Sequence, residues 1–577
     1  MEFELVAIIG VLLVVAASTL APKIGVASPL LLVALGFGIS LLPMVEPIVI
    51  PPELILAGIL PPLLYAAAVD TPVMEFRRDL ATISVFSVVL VAITAVAVGL
   101  IGVALVPGMP LGVGIALGAV ISPTDAVATS IVRRAGVSKR IVTILQGESM
   151  FNDASALVLL RAAVASIGIG VSFLDVAGQF VWAVVGALLI GGFLGWLNLV
   201  VRGRIHQVSA NVALSLVIPF AAYLPAEAVG ASGLVAAVVA GLVTGYGTPA
   251  RMGAQVRIAE RSVWKTIELI LESAVFLMVG LELPTLAADT GNTGLRLPAL
   301  LALLLGTVVM ALRTGMVAWS VWELARRYQR AESGRERISQ IQAKLDAGNT
   351  LGADFPKTGG PIRRRRGQSH PKPARDRVGQ WQRMLDRRRA DLDYLAAERL
   401  GWPEGTILVW AGMRGAVTIA AAQTLPADVP YRSLVILVAT MVAVGTLLLQ
   451  GLTLPPLTKR LGLADNGPAT DPAQWDALQA ELDAAALTAL VNSGNEQAAA
   501  VVERLKARLD RSDADAEDQR AGIAALSELR LTVIEAQRSK LLDLRSVGSY
   551  PSAMMDDALA QLDAAQIGLE LRQQYLE

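Results

Sequence analysis

Apolar stretches of about 20 residues, each long enough to cross a hydrocarbon core of about 30 Å, recur along the chain from Phe3 to Leu454. They run from Phe3 to Leu20, Ile24 to Leu42, Ile48 to Val69, Leu80 to Val106, Leu111 to Val132, Ile141 to Ser166, Val171 to Val201, Ala210 to Val229, Ser232 to Gly245, Val263 to Leu283, Leu297 to Leu324, Gly405 to Leu425 and Leu434 to Leu454. The pattern predicts an all-α membrane protein of about thirteen transmembrane helices. Composition agrees, because 54% of residues are hydrophobic and only 17% charged, where a soluble chain of this size carries more charge on its surface. Cysteine is absent, which excludes a disulfide framework, a thiolate metal site and a thiol nucleophile.

The formal net charge of +0 conceals a segregation of charge along the chain. Alternate connections carry Lys23, then Arg77 and Arg78, then Arg133, Arg134, Lys139 and Arg140, then Arg202 and Arg204, then Arg251, Arg257, Arg261 and Lys265. The opposite connections hold little beyond Arg296 and Arg432. Basic connections stay on the cytoplasmic side, so an inner, plasma-membrane protein is expected with its amino terminus outside and its carboxyl terminus inside. Met-Glu-Phe-Glu at the start is acidic and no cleavage pattern follows, so the first span reads as retained. The expected organisation is a membrane domain over residues 1–324 and 404–460, a basic cytoplasmic insertion over 325–403 and a helical tail over 461–577. The run Arg363 to Arg366 in the insertion reads as a solvated anchor touching anionic membrane lipids rather than as a nucleic-acid site. In the tail, Leu478, Leu482, Ala485 and Leu490 keep helical spacing, and Gly548-Ser549-Tyr550-Pro551-Ser552 breaks it before a last helix. A packed bundle, a dimer contact and a regulatory arm for a ligand or partner all fit that tail.

The sixth stretch contains Glu148-Ser149-Met150-Phe151-Asn152-Asp153. An ionised carboxylate at that depth costs about 3 kcal/mol on insertion, so it marks an ion or proton pathway. Helical spacing puts Ser149 and Asp153 on one line, with Glu148, Asn152 and Ser155 on the adjacent line. Asn152 and Ser155 alone would fit a polar seam between helices; two carboxylates within six residues do not. In the fifth stretch, Ser122-Pro123-Thr124-Asp125 has the form of a helix start, with Ser122 as N-cap, Pro123 first in the helix and Asp125 in the first turn. A helix starting in mid-membrane is a discontinuous helix, and Thr124 and Asp125 become oxygen ligands for a hard monovalent cation. The twelfth stretch echoes it with Ala411-Gly412-Met413-Arg414-Gly415-Ala416, which hints at an inverted repeat.

The deep acids are Asp125, Glu148, Asp153 and Glu272, and the deep bases are Arg313 and Arg414. If each arginine holds one carboxylate, about two acids are left for protons or cations. A site that takes either, and moves with either but not empty, is an exchanger. An intramembrane enzyme is disfavoured, because His206 and His370 are the only histidines and neither His-Glu-x-x-His nor Gly-x-Ser-x-Gly occurs. No cofactor is expected.

Gly147-Glu148-Ser149-Met150-Phe151-Asn152-Asp153, Ser122-Pro123-Thr124-Asp125, Phe276-Leu277-Met278-Val279-Gly280-Leu281 and Gly412-Met413-Arg414-Gly415-Ala416 together resemble the sodium/proton antiporters of the monovalent cation:proton antiporter superfamily, in the Asn-Asp branch. The resemblance covers nearly all of the chain up to Lys459. It implies a homodimer whose core domain carries the ion in an elevator motion, and electroneutral exchange of Na+ or Li+ for H+. By motif, Asp153 would be the exchanging carboxylate, with Asp125, Thr124 and Ser149 as Na+ ligands. Glu148 would pair with Arg313 and Asn152 would support the site, with Arg414 and Glu272 nearby. A K+/H+ exchanger of the same architecture stays open, and a gated cation channel or a sensor is the more distant reading.

Overall fold

The computed structural model describes residues 2–24, 28–42, 51, 53–167, 173–288, 295–346, 400–426, 428–463, 472–492 and 516–574, and the described residues are helical with no strand. The chain divides into two compact units, Met1–Ser320 with Gly401–Ala469, and Val321–Leu400 with Thr470–Glu577. The Arg363 to Arg366 run lies outside the described residues, as do residues 25–27, 48–50, 52 and 171–172 of the predicted stretches.

The apolar helices are α1 (Glu2–Ile24), α2 (Ser28–Ser40), α3 (Leu54–Val69), α4 (Met74–Leu105), α5 (Leu111–Ile121), α6 (Ala126–Arg134), α7 (Lys139–Ala165), α8 (Phe173–Arg202), α9 (Val208–Ala228), α10 (Gly233–Arg251), α11 (Ala254–Ala288), α12 (Arg296–Asp346), α13 (Trp402–Trp410), α14 (Ala416–Gln423) and α15 (Arg432–Arg460). Among the described residues, six of these are long and apolar enough to cross a membrane: α4, α8, α9, α10, α12 and α15. The fifth and twelfth apolar stretches are each broken in two, as α5 with α6 and α13 with α14. A polar helix cannot pass that test, and α7, which carries Glu148, Asn152 and Asp153, is buried along most of its length instead. Large apolar side chains such as Leu189, Phe193, Leu300 and Leu303 are exposed, as suits an exterior bathed in lipid rather than water.

Lipid tails supply no hydrophobic drive between helices, so close contact rests on small residues. Gly36 on α2 and Gly280 on α11 face each other so tightly that a Cβ on Gly36 would stand 3.0 Å from Gly280 Cα. Gly118 of α5 abuts the backbone of Ala95 on α4, and Gly195 of α8 that of Ala240 on α10. Two arginines that the charge pattern placed in cytoplasmic connections are buried in ion pairs. Arg140 grips Asp79 of α4 with Nη2 at 2.7 Å and Nε at 3.0 Å, and Arg202 meets Glu260 at 2.8 Å while its Nε donates to Asn211. A long amphipathic side chain near a helix end can fold inward once an acid is there to receive it, which a count of loop charges does not register.

In the second unit, α16 (Pro472–Asn492), α17 (Ala516–Val547) and α18 (Ser552–Gln574) share an apolar core of Leu478, Leu482, Ile534, Leu541, Met555 and Leu562. Ala486 is the buried alanine of α16, and Ala485 is only half-buried. The turn before α18 begins at Gly548, whose φ of +78° favours glycine.

Candidate functional site

The two broken helices cross, and each supplies what the other lacks. The break between α5 and α6 leaves carbonyls without helical donors, and the break between α13 and α14 does the same. The backbone N–H of Asp125 donates to the Met413 carbonyl at 2.8 Å. Nε of Arg414 donates to the Ile121 carbonyl, at the carboxyl end of α5, at 3.0 Å, and its Nη1 donates to the Gly412 carbonyl. Among the described residues Arg414 therefore holds backbone carbonyls and no carboxylate, contrary to the charge accounting. The negative end of a helix dipole takes a cation well, and freed carbonyls have no side-chain signature in a sequence.

Asp125, not Ser122, is the N-cap of α6: its Oδ1 accepts from the N–H of Val127 at 3.3 Å, and the helix begins at Ala126. Ser122 still has helical backbone angles, as the C-cap of α5, and its hydroxyl donates back to the Ala119 carbonyl. The extended stretch is thus Pro123 to Asp125, three residues later than the sequence pattern places the start. Gly415 makes that position available, because any Cβ there would overlap the Asp125 carboxylate.

The two lines of polar residues on α7 have separate surroundings. Glu148 and Asn152 turn to the ion pair and the first break. Arg313 of α12 binds Glu148 with Nη1, and its Nη2 reaches the other carboxylate oxygen at 2.9 Å; both side chains are 1% exposed. Nε and Nη2 of the same arginine donate to the Leu408 carbonyl of α13 at 2.9 and 2.8 Å. Asn152 Nδ2 donates to Thr124 Oγ1 at 2.7 Å, and the Thr124 hydroxyl donates to Glu148 at 3.2 Å. Ser87, from a π-helical turn of α4 over Val85–Val89, donates to the Glu148 backbone carbonyl at 3.2 Å. Nothing in the sequence singled out that serine, since one hydroxyl in an apolar span reads as helix glue.

Ser149 and Asp153 face a cavity of about 110 Å³, which Thr124, Asp125, Glu268 and Glu272 also line. Asp153 is 2% exposed, and its Oδ1 is buried without a hydrogen-bond partner among the described residues. Leaving a carboxylate oxygen in that state is costly unless a proton or a cation completes it. The donors around it are carboxylates and hydroxyls, the oxygen set that suits a hard cation. Asp153, Asp125, Thr124, Ser149 and Glu272 are brought to one chamber; Glu148, Asn152 and Arg313 stand behind it, and Arg414 lies at the crossing.

An apolar helical unit with two broken helices crossing at a buried oxygen-lined chamber defines an ion-coupled membrane transporter. The family profile described as "Sodium/hydrogen exchanger, transmembrane" matches residues 8–333 and 388–460, and the chain belongs to that family. It is 29% identical to an uncharacterised Na+/H+ exchanger of Mycobacterium tuberculosis, over 98% of this chain and 96% of that one. It is 28% identical to the Na+/H+ antiporter NhaH of Halobacillus dabanensis, over 62% of this chain and 70% of that one. The solved sodium proton antiporter MjNhaP1 of Methanocaldococcus jannaschii shares the fold, with a TM-score of 0.54 at 17% identity, covering 80% of this chain and 99% of the other. The protein is a multi-pass membrane transporter and not an enzyme.

Proposed function

We propose that the protein exchanges Na+, and also Li+, for H+ one for one across the plasma membrane, with cation and proton competing for Asp153. The observation that carries this reading is the buried Asp153 oxygen without a protein partner, in a chamber shared with Asp125, Thr124 and Ser149. A carboxylate so placed is neutralised by one ligand at a time, which makes the two ions alternatives. Asn152 supports electroneutral exchange, because it adds no second titrating group beside Asp153 and its amide is engaged with Thr124. The elevator motion, the homodimer, a role in pH homeostasis and an amino terminus outside the cell belong to the same proposal. The reciprocal bonds between the two broken helices support the first, since they favour carrying the site as one body.

In proteoliposomes with an imposed pH gradient, added Na+ is expected to dissipate the gradient in the wild type and not in Asp153→Asn. Exchange retained by Asp153→Asn sinks the assignment. Repeating the assay with Li+ and K+, with and without a clamped membrane potential, settles ion and stoichiometry. K+ is the second reading to test, because a relative of Bacillus pumilus, 33% identical over 44% of this chain, is named a sodium, potassium, lithium and rubidium/H+ antiporter.

A further inference from the structure

A second, larger cavity of about 790 Å³ abuts the chamber around Asp153. It lies between the start of α2, the end of α6, the middle of α11 and the end of α15, with Arg134 and Lys459 among its lining residues. Ser130, Glu272 and Phe276 line both cavities. Glu272 is the one titratable side chain of the three, and no described residue forms a hydrogen bond or salt bridge with its carboxylate.

The sizes of the two spaces give that position a task. The larger cavity admits a fully hydrated cation, whereas the chamber has room for only a few waters. A cation moving between them gives up part of its shell at the junction, and it does so near the positive charges of Arg134 and Lys459. Both effects raise the barrier to entry. A carboxylate at the junction supplies oxygen ligands and the opposite charge where hydration is being lost, and the Ser130 hydroxyl adds another oxygen. Glu268, one turn before Glu272 on α11, and Arg133 line the inner chamber only, so they do not bridge the two spaces.

We propose that Glu272 is a transfer carboxylate that holds the cation with Ser130 at the junction of the two cavities before it passes to Asp153 and Asp125. The inference rests on the reading of Asp153 as the exchanging group. It adds a second cation-holding position on the route, one that sets how readily the ion reaches the chamber rather than how fast the loaded site turns over.

The test is 22Na+ uptake into proteoliposomes by the full chain, with wild type, Glu272→Gln, Glu272→Asp, Ser130→Ala and Asp153→Asn side by side. Glu272→Gln is expected to raise the apparent KM for Na+ by about tenfold or more while the maximal rate stays within about twofold. Glu272→Asp keeps the charge and is expected to recover most of the affinity, and Ser130→Ala to shift KM in the same direction by less. A general packing defect would lower the maximal rate of the Gln and Asp variants alike, and that outcome overturns the proposal. So does an unchanged KM in Glu272→Gln. If Glu272→Gln is not recovered folded, Ser130→Ala decides, and an unshifted KM in that variant counts against the inference. Uptake by Asp153→Asn at the wild-type rate would instead undo the reading of the chamber itself.

Discussion

Gly415 shows how a residue without a side chain can fix one that carries charge. A methyl group at this position would occupy the space of the Asp125 carboxylate, so either the carboxylate leaves the chamber or the two breaks separate. Gly415→Ala is expected to cut Na+-driven exchange by about tenfold or more, about 1.4 kcal/mol of lost site stabilisation, while the protein still folds and inserts. Initial rates in proteoliposomes, normalised to the protein recovered as a monodisperse peak, measure it; wild-type rates would mean that Asp125 tolerates displacement. The prediction differs from that for Asp153→Asn in kind. There the exchanging group itself is removed, whereas here every ligand remains and only its place changes.

At the scale of elements, the Glu148–Arg313 pair joins three helices, because Arg313 also closes the Leu408 carbonyl of α13. Glu148→Gln or Arg313→Gln alone leaves a buried charge without its counterpart, at a cost of about 3–5 kcal/mol. Thermal unfolding in detergent is expected to show both single variants markedly less stable. The exchanged pair, Glu148→Arg with Arg313→Glu, should recover only part of the loss, since the Leu408 carbonyl then has no guanidinium donor. An exchanged pair no better than the weaker single variant would argue that the two charges do not support each other. Charge alone made Glu148 and Arg313 conspicuous in apolar stretches and asked for a carboxylate beside the arginine, while the choice of Glu148 came from the resemblance of its motif to the antiporters. Asp153 and Asp125 were legible as charges in apolar stretches, and the two helix breaks from Ser122-Pro123 and from Gly412 and Gly415. The partner of Arg414 was not, because the acceptors are peptide carbonyls released by the breaks, and any residue type could have provided them. Nor was the cap of α6, since Ser122 and Asp125 are both good N-caps and only the Gly415 backbone, brought in from the far end of the chain, favours the later one.

The chain folds as an apolar unit that carries the ion site and a second unit with its own small core, and the two answer to different conditions. In the second unit Glu481 of α16 accepts from the Tyr550 hydroxyl at 2.8 Å and pairs with Lys540 of α17 at 3.0 Å. Burial, and then the hydrogen bond to Glu481 and its negative charge, push Tyr550 up from 10.0 to about 12. The raised value means that the folded tail favours the protonated phenol. The stabilisation is therefore complete below pH 10 and is lost as pH rises through about 12. Tyr550→Phe is expected to speed backbone hydrogen exchange in α18 at pH 8, by the loss of about 1 kcal/mol from one charge-assisted hydrogen bond, and to leave exchange in α7 unchanged. Equal protection in both proteins at pH 8 would show that the bond does not hold the turn.

The crossing of the broken helices also fixes when the site can first exist during synthesis. Arg414 and the Ile121 carbonyl it holds are 293 residues apart. At about 5–20 residues per second, the ribosome needs about 15–60 s to go from one to the other. For all that time the open end of α5 and the carboxylate at the start of α6 are in the membrane without the backbone that completes them. Assembly of the chamber is thus a late event in the birth of the protein. A chain released before its last helices would carry Asp153 and Asp125 and yet have no site.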